Sequence, residues 1–309
     1  MRVLVVGSMA FDSVETWAGK RDRALGGSAT FFSMASSRFA HTDIVAVVGE
    51  DFRQSDLDRL AARGVGLEGV EHAKGETFRW GGVYSRYFET RETLFTELNV
   101  FSSFQPRLPE SVRDADVVFL ANIHPKLQLD VLEQVRSPKF VALDTMNFWI
   151  DGERERLEEV LSRVDLLLLN DEEAFKLSRS GNMFAAAETI RGMGPSAVVI
   201  KRGEHGAWLF TEQGGHLVPA VPLAEVIDPT GAGDSFAGGF IGWLAHRGRF
   251  DAAALQEAMV AGTLVASFTV EDFSVDGLER VTDADLRARH AVLQSVVGKL
   301  DLPLAEGGE

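Results

Sequence analysis

The sequence contains no cysteine. Disulfides, thiolate nucleophiles and cysteine-ligated zinc are therefore excluded, and a reducing compartment fits. Basic residues are scarce beside acids: 31 Lys and Arg stand against 46 Asp and Glu, for a formal net charge of −15. Nucleic-acid grooves are built from Lys and Arg, so no nucleic-acid partner is expected. A phosphorylated ligand would need a local site and a metal instead of a positive surface. Long apolar runs are missing as well. The opening run Val3–Val6 is too short for a signal-peptide core, and Val164 to Leu169 is too short to cross a bilayer. No membrane partner is expected, and the chain reads as soluble and cytoplasmic. Several catalytic signatures are absent too. There is no Gly-x-x-x-x-Gly-Lys-Ser/Thr phosphate loop, no Gly-x-Ser-x-Gly elbow and no pair of histidines at helical spacing. Gly7 stands alone after the first apolar run, which argues against a dinucleotide fingerprint.

What is present is a globular composition, 45% hydrophobic and 25% charged over 309 residues, enough for a sizeable core. Short apolar runs recur at Val3–Val6, Ile44–Val48, Val117–Leu120, Phe140–Leu143, Leu166–Leu169 and Ala197–Ile200. They are continuous, not alternating, which predicts strands covered on both faces and hence a mainly parallel sheet. Helical patterns fall between them, at Gln54–Arg63, Leu127–Val135, Arg154–Arg163 and Glu172–Ser178. Alternation of this kind predicts a doubly wound α/β domain with helices on both faces. Two stretches break the rhythm. Thr77 to Phe104 reads as antiparallel ribbon, and Phe11 to Ala24 is expected to add to it. We read the chain as one domain, 1–309, carrying a small β lid formed by about 11–24 and 77–104; an ordinary edge hairpin is the plainer alternative. Residues Leu304 to Glu309 are expected to fray.

The stretch richest in chemistry is Val226-Ile227-Asp228-Pro229-Thr230-Gly231-Ala232-Gly233-Asp234-Ser235-Phe236. A turn of small residues leads into a helix. Gly231, Ala232 and Gly233 let backbone amides approach a ligand, and helix N-termini attract anions. Such a loop can stabilise charge on a transferring phosphoryl group. A carboxylate beside an anion site is anomalous unless it takes a proton, so Asp234 fits a general base for an attacking hydroxyl. It fits equally as a helix cap.

Asp-Pro-Thr-Gly-Ala-Gly-Asp followed by a glycine-bearing apolar helix resembles the C-terminal motif of the ribokinase/PfkB carbohydrate kinases. Other features stand in the family's order: Gly7 and Asp12 after the first strand, Gly26-Gly27 opening a helix, Asn170-Asp171-Glu172-Glu173, and Lys201-Arg202-Gly203-Glu204-His205-Gly206. The resemblance covers roughly Val3 to Val275. It implies an ATP- and Mg2+-dependent kinase acting on a hydroxyl of a small sugar or sugar-like acceptor. Asp234 would be the catalytic base, and Gly231, Ala232 and Gly233 the anion hole. Asn170 and Glu173 match Asn-x-x-Glu, placing Glu173 near magnesium, through water; a capping box is the alternative and compatible reading. Lys201, Gly203, Glu204 and Gly206, with Thr230, would line the ATP site, although a strand-end lysine is often only solvated. Residues from Ala261 to Ser274 are expected to wall the adenine. Asp12, with Gly26 and Gly27, would bind the acceptor, Asp12 through charge-assisted bonds to vicinal hydroxyls; a turn role for Asp12 is the alternative. A homodimer through the lid is also implied.

The chain departs from the family in places. Phe31 stands where many members carry an asparagine after the paired glycines, and Asp144-Thr145-Met146-Asn147-Phe148-Trp149 replaces a stretch usually rich in proline with an arginine. Phe11, Phe31, Phe78, Trp80 and Tyr84 could form a partly aromatic acceptor pocket, as a nucleoside or a cyclitol would favour. Asn122 is a candidate acceptor contact, whereas His124 is expected to be structural. A protein that only binds a sugar or nucleotide is the alternative from another class. A hydrolase using Glu158-Glu159 or Glu172-Glu173 is disfavoured, because these pairs read as solvated helix faces.

Overall fold

The computed structural model describes residues 1–297. The stretch expected to fray, Leu304 to Glu309, lies outside the described residues. The chain opens with β1 (Val3–Val6), then the hairpin β2 (Ala10–Thr16) and β3 (Gly19–Gly26), α1 (Ser28–Ser36) and β4 (Thr42–Val48). Next come α2 (Gln54–Ala62), β5 (Gly66–His72) and a second hairpin, β6 (Phe78–Tyr84) and β7 (Arg91–Glu97). Alternation follows through β8 (Val117–Leu120), α3 (Pro125–Leu132), β9 (Phe140–Asp144), α4 (Asn147–Gly152), α5 (Arg154–Leu161) and β10 (Leu166–Asn170). It continues through α6 (Asp171–Ser178), α7 (Met183–Arg191), β11 (Ala197–Lys201), β12 (Ala207–Thr211) and β13 (Gly214–Val218). Four helices close the described chain: α8 (Ala232–Arg247), α9 (Ala252–Thr269), α10 (Asp276–Arg280) and α11 (Asp283–Val296).

The larger sheet has nine strands in the order β13-β12-β11-β10-β9-β8-β1-β4-β5. Neighbours from β5 to β11 are parallel, and β12 and β13 are antiparallel. Alternate residues of the apolar runs serve opposite faces. Val3, Val5, Phe119, Leu168 and Val199 join the core under α1, α8 and α9. Leu4, Val6, Leu120, Leu167 and Ile200 join the core under α3, α5, α6 and α7. This two-sided burial is the reason those runs read as continuous apolar stretches.

The smaller sheet has the order β3-β2-β6-β7. It draws on the two expected stretches, but it is not purely antiparallel: β2 and β6 pair in parallel, Asp12 opposite Trp80. Residues Asn99–Ser103 form a 3-10 turn instead of extending the ribbon.

Glycine sets the path of α8. A Cβ on Gly238 would stand 2.2 Å from Phe32 O, and one on Gly242 would stand 2.8 Å from Ser36 O, so α8 lies directly against α1. On its other side, a Cβ on Gly239 would stand 3.1 Å from Ala261 O of α9. Among the described residues α9 is the one helix long and apolar enough to cross a bilayer, and most of it is buried in this packing. Backbones this close tolerate no added methyl without a shift of one helix. Gly238→Ala is therefore expected to lower the unfolding free energy by about 1–3 kcal/mol in a urea titration. Gly181→Ala, at a glycine with no neighbour within 4 Å, should leave the midpoint nearly unchanged. Equal midpoints for the two variants would contradict this packing.

Candidate active site

β1 is flanked by β4 on one side and β8 on the other, so the winding direction reverses there, and open α/β sheets bind ligands at the carboxyl ends of the strands beside such a point. The start of α8 lies at that edge. Gly231 caps α8 at φ +76°, and a Cβ there would stand 2.4 Å from the ring of Phe31. Phe31 thus forms the floor of the Gly231–Gly233 loop, and at 2% exposed it has no open face toward an acceptor. Ser235 makes the first intrahelical bond, to Gly231 O at 2.8 Å. The amides ahead of it belong to the open first turn, where Ala232 turns to Pro229 O at 3.2 Å. Asp234 lies in that first turn and is half-buried.

Three neighbouring strands deliver the groups that face this turn. β9 ends at Asp144, β10 at Asn170 and β11 at Lys201, with Asn170 in register with Lys201. Lys201 Nζ lies 3.0 Å from Asp144 Oδ2. A Cβ on Gly233 would stand 3.2 Å from the same Nζ, so the ammonium lies over the loop. Asp144 is fixed by the Thr145 amide, which donates to Oδ1 at 2.7 Å. Asn170 and Glu173 form the reciprocal capping box of α6, each accepting from the other's backbone amide at 2.8 Å. The box uses Oε2 of Glu173.

The rest of the Lys201–Gly206 stretch divides by burial. Gly203 (φ +52°) and Glu204 are exposed at the surface, and a Cβ on Gly203 would meet open space. Gly206 is buried (φ +81°), where a Cβ would stand 2.2 Å from Val218 O; its glycine serves the hairpin. Residues 261–274 run from α9 into the turn after it. Ala261 and Val265 are buried in the α8 contact, while Val270 O accepts from Ile227 N at 2.7 Å.

Asp12, expected to bind the acceptor, is 8% exposed on β2. A Cβ on Gly26 would stand 2.0 Å from Asp12 Oδ2, so only glycine fits there, and the Gly27 amide donates to the carboxylate. Gly27 itself is at φ +94°, with a Cβ position 2.5 Å from Ser8 O. The aromatic residues divide. Phe11 stacks on Phe52 at 5.2 Å and is buried with Phe31, whereas Phe78, Trp80 and Tyr84 are half-buried on the β6 face that Asp12 shares. Tyr84 Oη lies 3.1 Å from Thr230 Oγ1. The side-chain oxygen of Asn122 accepts from Trp149 Nε1 at 2.9 Å. His124 caps α3 by accepting from the Lys126 amide at 3.0 Å.

The family model for pfkB carbohydrate kinases matches residues 2–279. The chain belongs to the pfkB family of carbohydrate kinases. A cytidine kinase of Thermococcus kodakarensis is 30% identical to this pfkB-family chain over 77% of it and 87% of the relative. Two solved structures at 20% identity share the fold. A nucleoside kinase of Burkholderia thailandensis in complex with inosine has a TM-score of 0.77, covering 96% of this chain and 99% of that one. A protein of E. coli assigned provisionally as a ribokinase II, with ATP and Mg2+, has a TM-score of 0.76 over 95% and 99%.

The electrostatics of the pfkB site follow from crowding. Burial, then the charge of Asp144, pushes the Asp234 carboxyl up to about 7. The same two causes push Glu173 up to about 7. Burial works against the charge of Lys201, yet Asp144 and Glu173 hold its pKa above the usual lysine value. Three carboxylates thus surround one ammonium, an all-oxygen set short of positive charge. That donor chemistry fits magnesium, which prefers oxygen and retains waters. Among the described residues no three His, Asp or Glu side chains close a metal site by themselves, so waters and phosphate oxygens would complete the shell.

Sequence reasoning missed Asp144 and Asp228 as site groups. Asp228 is 2% exposed, accepts from the Thr230 amide at 2.9 Å, and adds to the rise of Asp12. Burial, then Asp228, pushes Asp12 up to about 7. The folded chain therefore keeps the Asp12 proton to about pH 7, whereas an unfolded aspartate releases it near 4. Stability falls as pH rises between these values, and the cost of the buried charge is fully present above 7. Asp12→Asn is expected to melt a few degrees above the parent at pH 8.5, with the gap closing by pH 5. A gap that is absent at pH 8.5, or that widens toward acid, contradicts the buried carboxylate.

Proposed function

We propose that this pfkB-family kinase transfers the γ-phosphoryl group of ATP to a hydroxyl of a small sugar-bearing acceptor. The observation that carries the proposal is Asp234. It opens α8 directly after the Gly231–Gly233 loop, under the Lys201 ammonium, with its carboxyl pushed up to about 7. A carboxylate poised near the working pH is suited to accept the acceptor's proton as the hydroxyl attacks. The first-turn amides of α8 and the Lys201 ammonium would take up the charge that spreads over the phosphoryl oxygens. Gly203, Glu204 and Thr230 would border the nucleotide, while buried Gly206 only shapes the hairpin behind them. Asp12 would accept hydrogen bonds from acceptor hydroxyls and hold the attacking one in line. Glu173, through water, with Asp144 beside it, would hold magnesium, which neutralises phosphate charge when bound.

A nucleoside is favoured over a simple aldose as acceptor. Phe31 replaces the amide expected there and is used up under Gly231, while half-buried Trp80 shares a sheet face with Asp12. The cytidine and inosine named for the relatives agree with that class. The chain would act as one domain, 1–309, in the cytoplasm, with the smaller sheet as a lid that excludes water. A homodimer would form through that sheet, where Leu94 and Tyr87 are exposed.

Asp234→Asn is expected to lower kcat by at least about a thousandfold and to leave Mg-ATP affinity within about twofold. In the parent, kcat/KM should fall as pH drops through about 7, where Asp234 gains its proton. Turnover in the variant within tenfold of the parent would sink Asp234 as the base.

A further inference from the structure

We infer that Tyr84 and Trp17, at the tips of the two hairpins of the smaller sheet, are positioning residues that tie this sheet to the segment entering the anion loop. The inference rests on the kinase reading above. The Trp17 indole donates to Val226 O at 2.9 Å, and the Tyr84 hydroxyl shares a 3.1 Å hydrogen bond with the Thr230 hydroxyl. Val226 to Thr230 is neither helix nor strand. Elsewhere it is held by Ile227 N on Val270 O at 2.7 Å and by Thr230 N on Asp228 at 2.9 Å. Thr230 immediately precedes Gly231, and Phe31 closes the opposite side of Gly231. Thr230 is tied to buried Asp228 through its amide, so a Tyr84–Thr230–Asp228 chain runs from the small sheet into the motif. Burial raises the Tyr84 pKa, which keeps its hydroxyl neutral.

The consequence is a coupling between the two substrates. Asp12, on the strand beside β6, holds the acceptor, and Tyr84, at the end of β6, holds the residue before the anion loop. In this structure one small sheet carries both Asp12 and the Tyr84 contact to Thr230. A loop ordered this way is set for transfer when the acceptor already fills the place that water would take. Removing one oxygen from Tyr84 should loosen the loop, slow transfer and let water compete.

The test compares the parent with Tyr84→Phe and Trp17→Phe, using Mg-ATP with and without cytidine or inosine. Each variant is expected to lower acceptor-dependent kcat by about tenfold, the loss of one hydrogen bond. Each should also raise the ratio of acceptor-free to acceptor-dependent ADP release at unchanged urea midpoint. A purely structural role would move the midpoint and leave that ratio alone. Tyr84→Phe added to Thr230→Val should cost no more than Thr230→Val alone, because the Tyr84 bond is already gone there. Amide exchange at residues 230–233 is the second readout and needs no turnover. It should quicken at least about fivefold in Tyr84→Phe. Parental exchange there, or a parental hydrolysis ratio in an enzyme that turns over, overturns the inference. A parent that turns over no acceptor instead overturns the proposed function, and exchange alone then decides whether Tyr84 ties the small sheet to the loop.

Discussion

The site depends on how closely α8 approaches its neighbours. Gly238 and Gly242 bring its backbone onto α1, and Gly239 brings it onto α9. With its axis fixed on two sides, its first turn has one place to stand: over Phe31, at the carboxyl edge of the sheet, below Lys201. The same helix contacts that bury apolar surface therefore aim backbone amides and one carboxylate at a common point. Larger side chains along α8 would add buried area and lose this placement, which explains why so apolar a helix carries so much glycine.

A second constraint is electrostatic. Asp144, Glu173 and Asp234 gather around a single ammonium, and Asp12 stands within the field of Asp228 and Asp234. Such crowding opposes stability at neutral pH, since Asp12, Glu173, Asp228 and Asp234 each hold a proton more tightly in the folded chain than an ordinary carboxyl does. Functional sites hold strain of this kind when a ligand relieves it. Magnesium would supply the missing positive charge on one side, and an acceptor's hydroxyls would supply donors on the other.

Much of the fold was legible because strands buried on two faces cannot hide. Val3–Val6, Val117–Leu120, Leu166–Leu169 and Ala197–Ile200 announce themselves by composition and emerge as strands of one sheet. The Asp228–Asp234 string was legible because few roles demand so many small residues before a helix with an acid in its first turn. Contacts between distant segments were not legible. Asp144 meets Lys201 only because β9, β10 and β11 lie side by side, an order no local pattern encodes. The parallel pairing of β2 with β6 was hidden for the same reason, since nothing in either hairpin names its partner. Phe31 looked like an acceptor contact from its place after Gly26-Gly27. Its ring under Gly231 became visible only once α1 and α8 were packed together.

The site at the start of α8 is expected to move a phosphoryl group from ATP onto an acceptor hydroxyl. The direct measurement is ADP release with Mg-ATP across a panel of nucleosides, cyclitols, sugars and sugar phosphates, with the phosphorylated product identified by mass. A nucleoside should be turned over strongly, with weaker or no turnover of simple aldoses and ketoses. Saturable Mg-ATP binding with no phosphorylated product from any member of the panel would contradict it.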